Sequence, residues 1–259
     1  MVSAAAKPVL GHDPTYYPVL DKMGESSLQR SIAELLRPLL ARVLAELGVK
    51  AFVGADQFMY YQQYAPTLSV SPDVYVMPDF DQGIEVECWK LWETGVAPSF
   101  ALEIVSRTNP RKDTERAPLR YDAMGAKELV IFDPKFRGRD RIRWTVYRRL
   151  PKRGLVRVEA TNADRIYSKS LRLWLRVVGE GAAMRVRLAR GPAGDELIPI
   201  PEEQERAARK AAAAAEGRER AAHEATAAAE ERERAAREAA EVAQAEVARL
   251  RAELARLRR

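Results

Sequence analysis

Two acidic residues sit where acids are seldom tolerated, and their positions restrict the fold more than any other feature. Asp73 stands in Ser71-Pro72-Asp73-Val74-Tyr75-Val76 and Glu103 in Phe100-Ala101-Leu102-Glu103-Ile104-Val105-Ser106. Both runs are short, apolar and rich in β-branched and aromatic residues, so each reads as a buried strand. A buried carboxylate carries a desolvation cost of several kcal/mol unless something pairs with it, and two in neighbouring strands repel each other unless a cation lies between them. A hard divalent ion, Mg²⁺ or Mn²⁺, meets that need: it takes one or two carboxylates and keeps waters for chemistry at a phosphate. The alternative is that each acid caps a strand end or meets an arginine of the same chain.

The 259 residues divide by composition into a stretch that reads as globular, 1–200, and a tail, 201–259. After Pro201 the tail has no further proline, one glycine (Gly217), and 13 Lys+Arg balanced by 13 Glu. The formal charge of +6 therefore belongs wholly to the globular stretch. A single cysteine, Cys88, excludes an intramolecular disulfide. No apolar run reaches the roughly 18 residues of a membrane span, and residues 1–20 lack the marks of a secretory signal, so a poorly ordered leader and a cytoplasmic location are expected. His12 and His223 are the only histidines, which leaves little material for a histidine triad or a His-rich zinc site. A small-molecule hydrolase is disfavoured too, for want of a Gly-rich phosphate loop or a nucleophile elbow.

Leu28, Ile32, Leu35, Leu36, Leu39, Leu40, Val43, Leu44 and Leu47 recur at helical spacing, which predicts an amphipathic helix entered at 25–27, bent at Pro38 and stopped by Gly48. Strands are predicted at 52–53, 57–61, 73–77, 100–105, 129–132 and 141–149, with a short helix at 118–124 ended by Gly125. Further strands at 155–159, 173–178, 184–188 and 196–200 suggest a hairpin layer on the same domain. The order is that of an α/β fold, a mixed β-sheet flanked by helices.

These pieces in this order resemble the Uma-two family of restriction-endonuclease-like proteins. The residues that carry the resemblance are Ser71-Pro72-Asp73-Val74, Ala97-Pro98-Ser99-Phe100 through Ser106, Asp113, Tyr121, Gly125 and Glu128-Leu129-Val130-Ile131-Phe132-Asp133-Pro134, and it extends over about 20–200, including Ser168. It implies the PD-(D/E)xK nuclease fold, with Asp73, Glu103 and the backbone carbonyl of Ile104 as metal ligands, and DNA as the partner. The sequence departs from the family at the lysine. The motif position is Val105, and the alternative on the following helix is Ala117. Either Lys112, Arg116 or Arg120 supplies the cation from the same segment, or the site has lost catalysis and the fold serves as a nucleic-acid-binding or scaffold module. Arginine cannot act as a base at neutral pH, so Lys112 is the candidate with catalytic chemistry. Asp113 fits a helix N-cap as well as a site role.

Between Lys135 and Arg157 stand ten Lys/Arg against one acid, Asp140. Strand alternation would place Arg139, Arg141 and Arg143 on one face and Ile142, Trp144 and Val146 on the other. Such a row could follow a phosphate backbone without reading bases, or simply blunt an edge strand with charge.

In the tail, Glu-Arg-Ala-Ala recurs at 205, 219 and 233, every 14 residues or two heptads. One helix about 85 Å long is predicted, a possible coiled coil in which only 242–257 has the bulk to zip and through which the chain would form a homo-oligomer. The expected organisation is a leader at 1–20, an endonuclease-like domain at 21–200 and a helical tail at 201–259.

Overall fold

The computed structural model describes residues 15–18, 27–106, 112–135 and 141–257. Helix α1 (Ser27–Glu46) turns its apolar residues to one side and buries Ile32, Ala33, Leu36, Leu39, Leu40, Val43 and Leu44. It continues through Pro38 and ends before Gly48, whose φ of +68° lets the chain turn back. There follow β1 (Ala51–Gly54), β2 (Met59–Tyr60), β3 (Ser69–Val70), β4 (Val74–Pro78), β5 (Trp89–Lys90), the short α2 (Leu91–Thr94) and β6 (Phe100–Ile104). A π-helical turn (Lys112–Arg116) leads into α3 (Ala117–Met124). Beyond it come β7 (Glu128–Phe132), β8 (Trp144–Leu150), β9 (Gly154–Thr161), β10 (Arg165–Ser168), β11 (Leu173–Val178), β12 (Arg185–Arg190), β13 (Glu196–Leu197) and α4 (Pro201–Leu257).

The main sheet has six strands in the order β1-β4-β6-β7-β8-β9, and β6 and β7 are its parallel pair. The predicted strand at 155–159 joins this sheet as β9, while those at 173–178, 184–188 and 196–200 form, with β10, a separate four-stranded antiparallel sheet. A small sheet, β3-β2-β5, completes the strands.

Alternation along the strands sorts the core into two faces. Tyr75, Met77, Ala101, Leu129 and Ile131 belong to one cluster with Ala117, Tyr121 and Met124 of α3 and with Met59, Val70 and Trp89 of the small sheet. Val74, Val76, Phe100, Leu102 and Ile104 point the other way, and α1 packs against β1, β4 and β12. Buried Glu128 ties the two larger sheets together: its carboxylate accepts from the Ser168 hydroxyl, from the Lys169 amide at 3.1 Å and from Arg148 Nε at 2.8 Å. Residues 15–18, within the expected leader, also pack: Tyr17 meets the Tyr60 ring edge-on at 5.0 Å, and Tyr60 donates to the Pro18 carbonyl at 2.6 Å.

The chain divides into two compact units, one ending at Ile198 and the other beginning at Pro199. In the second, α4 is a single helix of 57 residues, about 85 Å at about 1.5 Å per residue. Every side chain described in α4 is exposed. No described helix is long and apolar enough to cross a membrane.

Candidate active site

The β4–β6 pairing brings the two acids together. Val74 lies opposite Leu102 in antiparallel register, and one further step places Asp73 opposite Glu103. Asp73 stands one residue outside β4, and its carboxylate reaches the amide of Ile104, the residue next to Glu103. Glu103 is on the face carrying Tyr75 and Ala101, which looks toward α3. Asp73 is buried, at 7% exposure, and Glu103 is half-buried.

Each group is aimed by a hydrogen bond. The Ile104 amide donates to Asp73 Oδ2 at 2.6 Å, and the Tyr121 hydroxyl donates to Glu103 Oε1 at 2.6 Å. The Ile104 carbonyl accepts from Gln29 Nε2 at 2.9 Å. Tyr121 and Gln29 are contacts that sequence reasoning missed as such. Tyr121, four residues after Ala117 on the inward side of α3, entered the sequence reading only as part of the resemblance, with no contact assigned to it; Gln29 is 75 residues from its partner, and no local signal joins them. Beyond Asp73 on the same face, Tyr75 accepts from Trp89 Nε1 at 2.6 Å and bonds to Gln57. Burial pushes the Tyr75 phenol well above its ordinary value, against the opposing pull of the Trp89 bond, so it stays neutral.

Oxygen donors of this kind, two carboxylates and a carbonyl, suit Mg²⁺ or Mn²⁺, which binds through one or two carboxylates and completes its shell with water and phosphate. Accepting from Gln29 uses one lone pair of the Ile104 carbonyl and leaves its second. Among the described residues no group of three or more His, Cys, Asp or Glu assembles around a metal position, so any ion here would rest on this pair.

Both positions where the family would carry lysine are apolar and packed: Val105 is 5% exposed and Ala117 8%, and both belong to the core cluster. Lys112 and Asp113 fall in the π-helical turn, and their side chains lie outside the described residues. Arg120 donates to the Ser69 carbonyl at 3.1 Å, while Arg116 is exposed.

The basic segment departs from the predicted alternation. Strand β8 begins at Trp144 rather than at Arg141, and Arg139 lies outside the described residues. Arg141 folds onto buried Asp133, donating from Nε to Oδ2 at 2.6 Å and from Nη2 to Oδ1 at 2.7 Å. Arg143 instead reaches the Ala163 carbonyl at 3.2 Å. The two arginines therefore have different anchors and do not form one even row. The physical reason is Asp133: a buried carboxylate draws the guanidinium out of the strand pattern.

Off the carboxyl ends of β6 and β7 lies a cleft of about 480 Å³. Its walls include Ser31, Ser106, Lys135, Arg141 and Arg185. Ser106 continues the strand that carries Glu103.

A family model described as "Uma2: Putative restriction endonuclease" matches residues 20–177. A solved structure described as a putative nuclease belonging to DUF820 from Anabaena variabilis ATCC 29413 is similar at 14% identity and a TM-score of 0.42, over 59% of this chain and 78% of that one, a likeness too distant to carry function. No curated protein matches this chain. The chain, matched over more than half its length, belongs to the Uma2 family of restriction-endonuclease-like proteins.

Proposed function

We propose that this protein is a metal-dependent endonuclease that hydrolyses phosphodiester bonds in DNA, with Asp73, Glu103 and the Ile104 carbonyl holding Mg²⁺ or Mn²⁺. The observation that carries the reading is the β4–β6 register that sets the two acids opposite each other, each fixed by its own hydrogen bond. When bound, the ion would polarise the scissile phosphate and lower the pKa of a water. The chain's own contribution is positioning. The Ile104 amide fixes Asp73, Tyr121 fixes Glu103, and the buried setting of Asp73 strengthens both attractions by excluding water. Arg141 and Arg143, with Arg139, would hold the DNA backbone by charge without reading bases. Lys112 would supply the cation that stabilises the attacking oxygen.

The endonuclease-like domain would span 21–200, after a leader at 1–20, and the tail at 201–259 would join copies into a homo-oligomer. Titration with Mg²⁺ and Mn²⁺ followed by incubation with plasmid and oligonucleotide substrates tests the reading. Cleavage that needs the metal and disappears in Glu103→Gln supports it.

A second reading, a catalytically inactive nuclease fold that binds nucleic acid or acts as a scaffold, is favoured by one observation: both family lysine positions are filled by core side chains. It expects DNA binding that survives in Glu103→Gln, with no cleavage by the parent at any metal concentration.

A further inference from the structure

The cleft off β6 and β7 has a composition that points to one ligand chemistry. Lys135, Arg141 and Arg185 supply three cations, Ser27 lies beside them in the wall, and no acid lines it among the described residues. Even when the buried carboxylate of Asp133 behind Arg141 is counted, the described residues of the wall carry more positive than negative charge. Two of these cations are held rather than left to wander. Asp133 engages Arg141 through Nε and Nη2, and the same carboxylate accepts from the Lys135 amide at 2.8 Å, fixing the loop from which Lys135 projects. Asp133 is 4% exposed, so the pair is anchored from the protein side while the guanidinium, with donors that Asp133 does not use, forms part of the cleft wall. Arg185 is steadied by its bond from Nη1 to the Met184 carbonyl at 2.7 Å.

We infer that this cleft seats a phosphate of the nucleic-acid strand, with Asp133 as the positioning residue that aims Arg141. The cleft lies off the carboxyl ends of β6 and β7, where ligands of open α/β sheets bind. The inference deepens the nuclease reading and rests on it for the identity of the strand, but it concerns binding, not cleavage.

The phosphate has two sources, an internal phosphodiester or a terminal phosphate. The test is fluorescence anisotropy of the full-length protein in EDTA, with a labelled single-stranded 12-mer, with and without a 5′-phosphate, over a series of salt concentrations. Arg141→Gln, and separately the surface pair Lys135→Gln with Arg185→Gln, should lower affinity for every sequence. Each should also flatten the slope of log K against log salt by about 0.7 for every phosphate that the variant no longer neutralises. Equal weakening on both oligonucleotides assigns an internal phosphate; weakening confined to the phosphorylated one assigns a terminal phosphate. Asp133→Asn separates aiming from mere pairing. Removing a negative charge should tighten binding if Asp133 only neutralises Arg141, whereas an aiming role predicts weaker binding and a flatter slope. Unchanged affinity and slope in the Arg141 and Lys135/Arg185 variants, or no binding by the parent, overturns the inference. Asp73→Asn, which should lose metal binding and cleavage but keep the parent's slope, reports separately on the nuclease reading.

Discussion

In the unit that ends at Ile198, the buried carboxylates have fixed partners. Asp73 accepts from the Ile104 amide, Glu128 from Arg148, Ser168 and Lys169, and Asp133 from Arg141 and Lys135. In α4 the acids are exposed and meet arginines one turn along, as Glu205 meets Arg209 at 2.5 Å and Glu233 meets Arg237 at 2.7 Å. The chemical groups are the same and the energetic meaning is not. Breaking a buried pair leaves a charge without its partner in low dielectric, at a cost of about 3–5 kcal/mol, whereas an exposed pair at four-residue spacing contributes about 0.3–0.5 kcal/mol. The first unit depends on particular long-range partners, and α4 on local helix preferences repeated along its length.

The largest expected effect is therefore at Glu128. Glu128→Ala should destabilise the first unit by about 2–4 kcal/mol, because it leaves the Ser168 hydroxyl and the Lys169 amide without their acceptor while Arg148 keeps its bond to the Tyr167 carbonyl. The measurement is urea unfolding followed by tryptophan fluorescence, which reports that unit alone because Trp89, Trp92, Trp144 and Trp174 all lie within it. A loss below about 1 kcal/mol would mean that the bridge between the sheets is no stronger than a pair on α4.

The next effect concerns assembly. The apolar residues of α4 are mostly alanine, and burying a methyl gains about 0.8 kcal/mol against about 1.5–3 for a leucine or valine. Val242, Val247, Leu250 and Leu254 are exposed large side chains, so association should depend on this end. Deleting 242–259, or changing Leu250, Leu254 and Leu257 to Ser together, should lower the mass seen in light scattering while leaving the tryptophan transition unmoved. Retention of the parent's mass in both would leave α4 a solvated helix.

What the sequence made legible follows the same division. The spacing of Ile32, Leu36, Leu39, Leu40, Val43 and Leu44 specifies α1 because the signal is local and periodic. Asp73 and Glu103 stood out because acids in apolar runs need a reason. The α4 helix is legible from composition alone. The contacts that aim the acids were not legible, since Tyr121 to Glu103 and Gln29 to Ile104 join residues far apart in the chain. The arginine row failed as a pattern because alternation assumes that a strand is already under way at Arg141, while Asp133 competes for that side chain before β8 begins. Glu128 stood just before the strand predicted at 129–132, and only the packing of a second sheet over it makes it buried.

A smaller effect should be visible in pH dependence. The Asp164 carboxyl is held below its ordinary value chiefly by its hydrogen bonds from Arg165, with Arg176 adding to it. A carboxyl depressed in the folded state contributes stability that is present above its unfolded value, near about 4, and is lost as the pH falls through the folded value. The stability difference between the parent and Asp164→Asn should therefore be largest near about pH 7 and should shrink below about pH 4, read from urea midpoints by fluorescence. A difference that stays constant to about pH 3 would remove this pair from the account. Smallest of all, Glu233→Gln should change helicity by circular dichroism only slightly, in keeping with about 0.3–0.5 kcal/mol for one exposed pair.

The central claim is that Asp73 and Glu103 share one cation, and Mn²⁺ binding by calorimetry tests it most directly. The parent should bind, and Asp73→Asn and Glu103→Gln should each weaken binding strongly and abolish metal-dependent cleavage. Stability without metal should be unchanged or raised as the repulsion between the two carboxylates is relieved. If both variants bind Mn²⁺ as the parent does, the paired acids are not a metal centre.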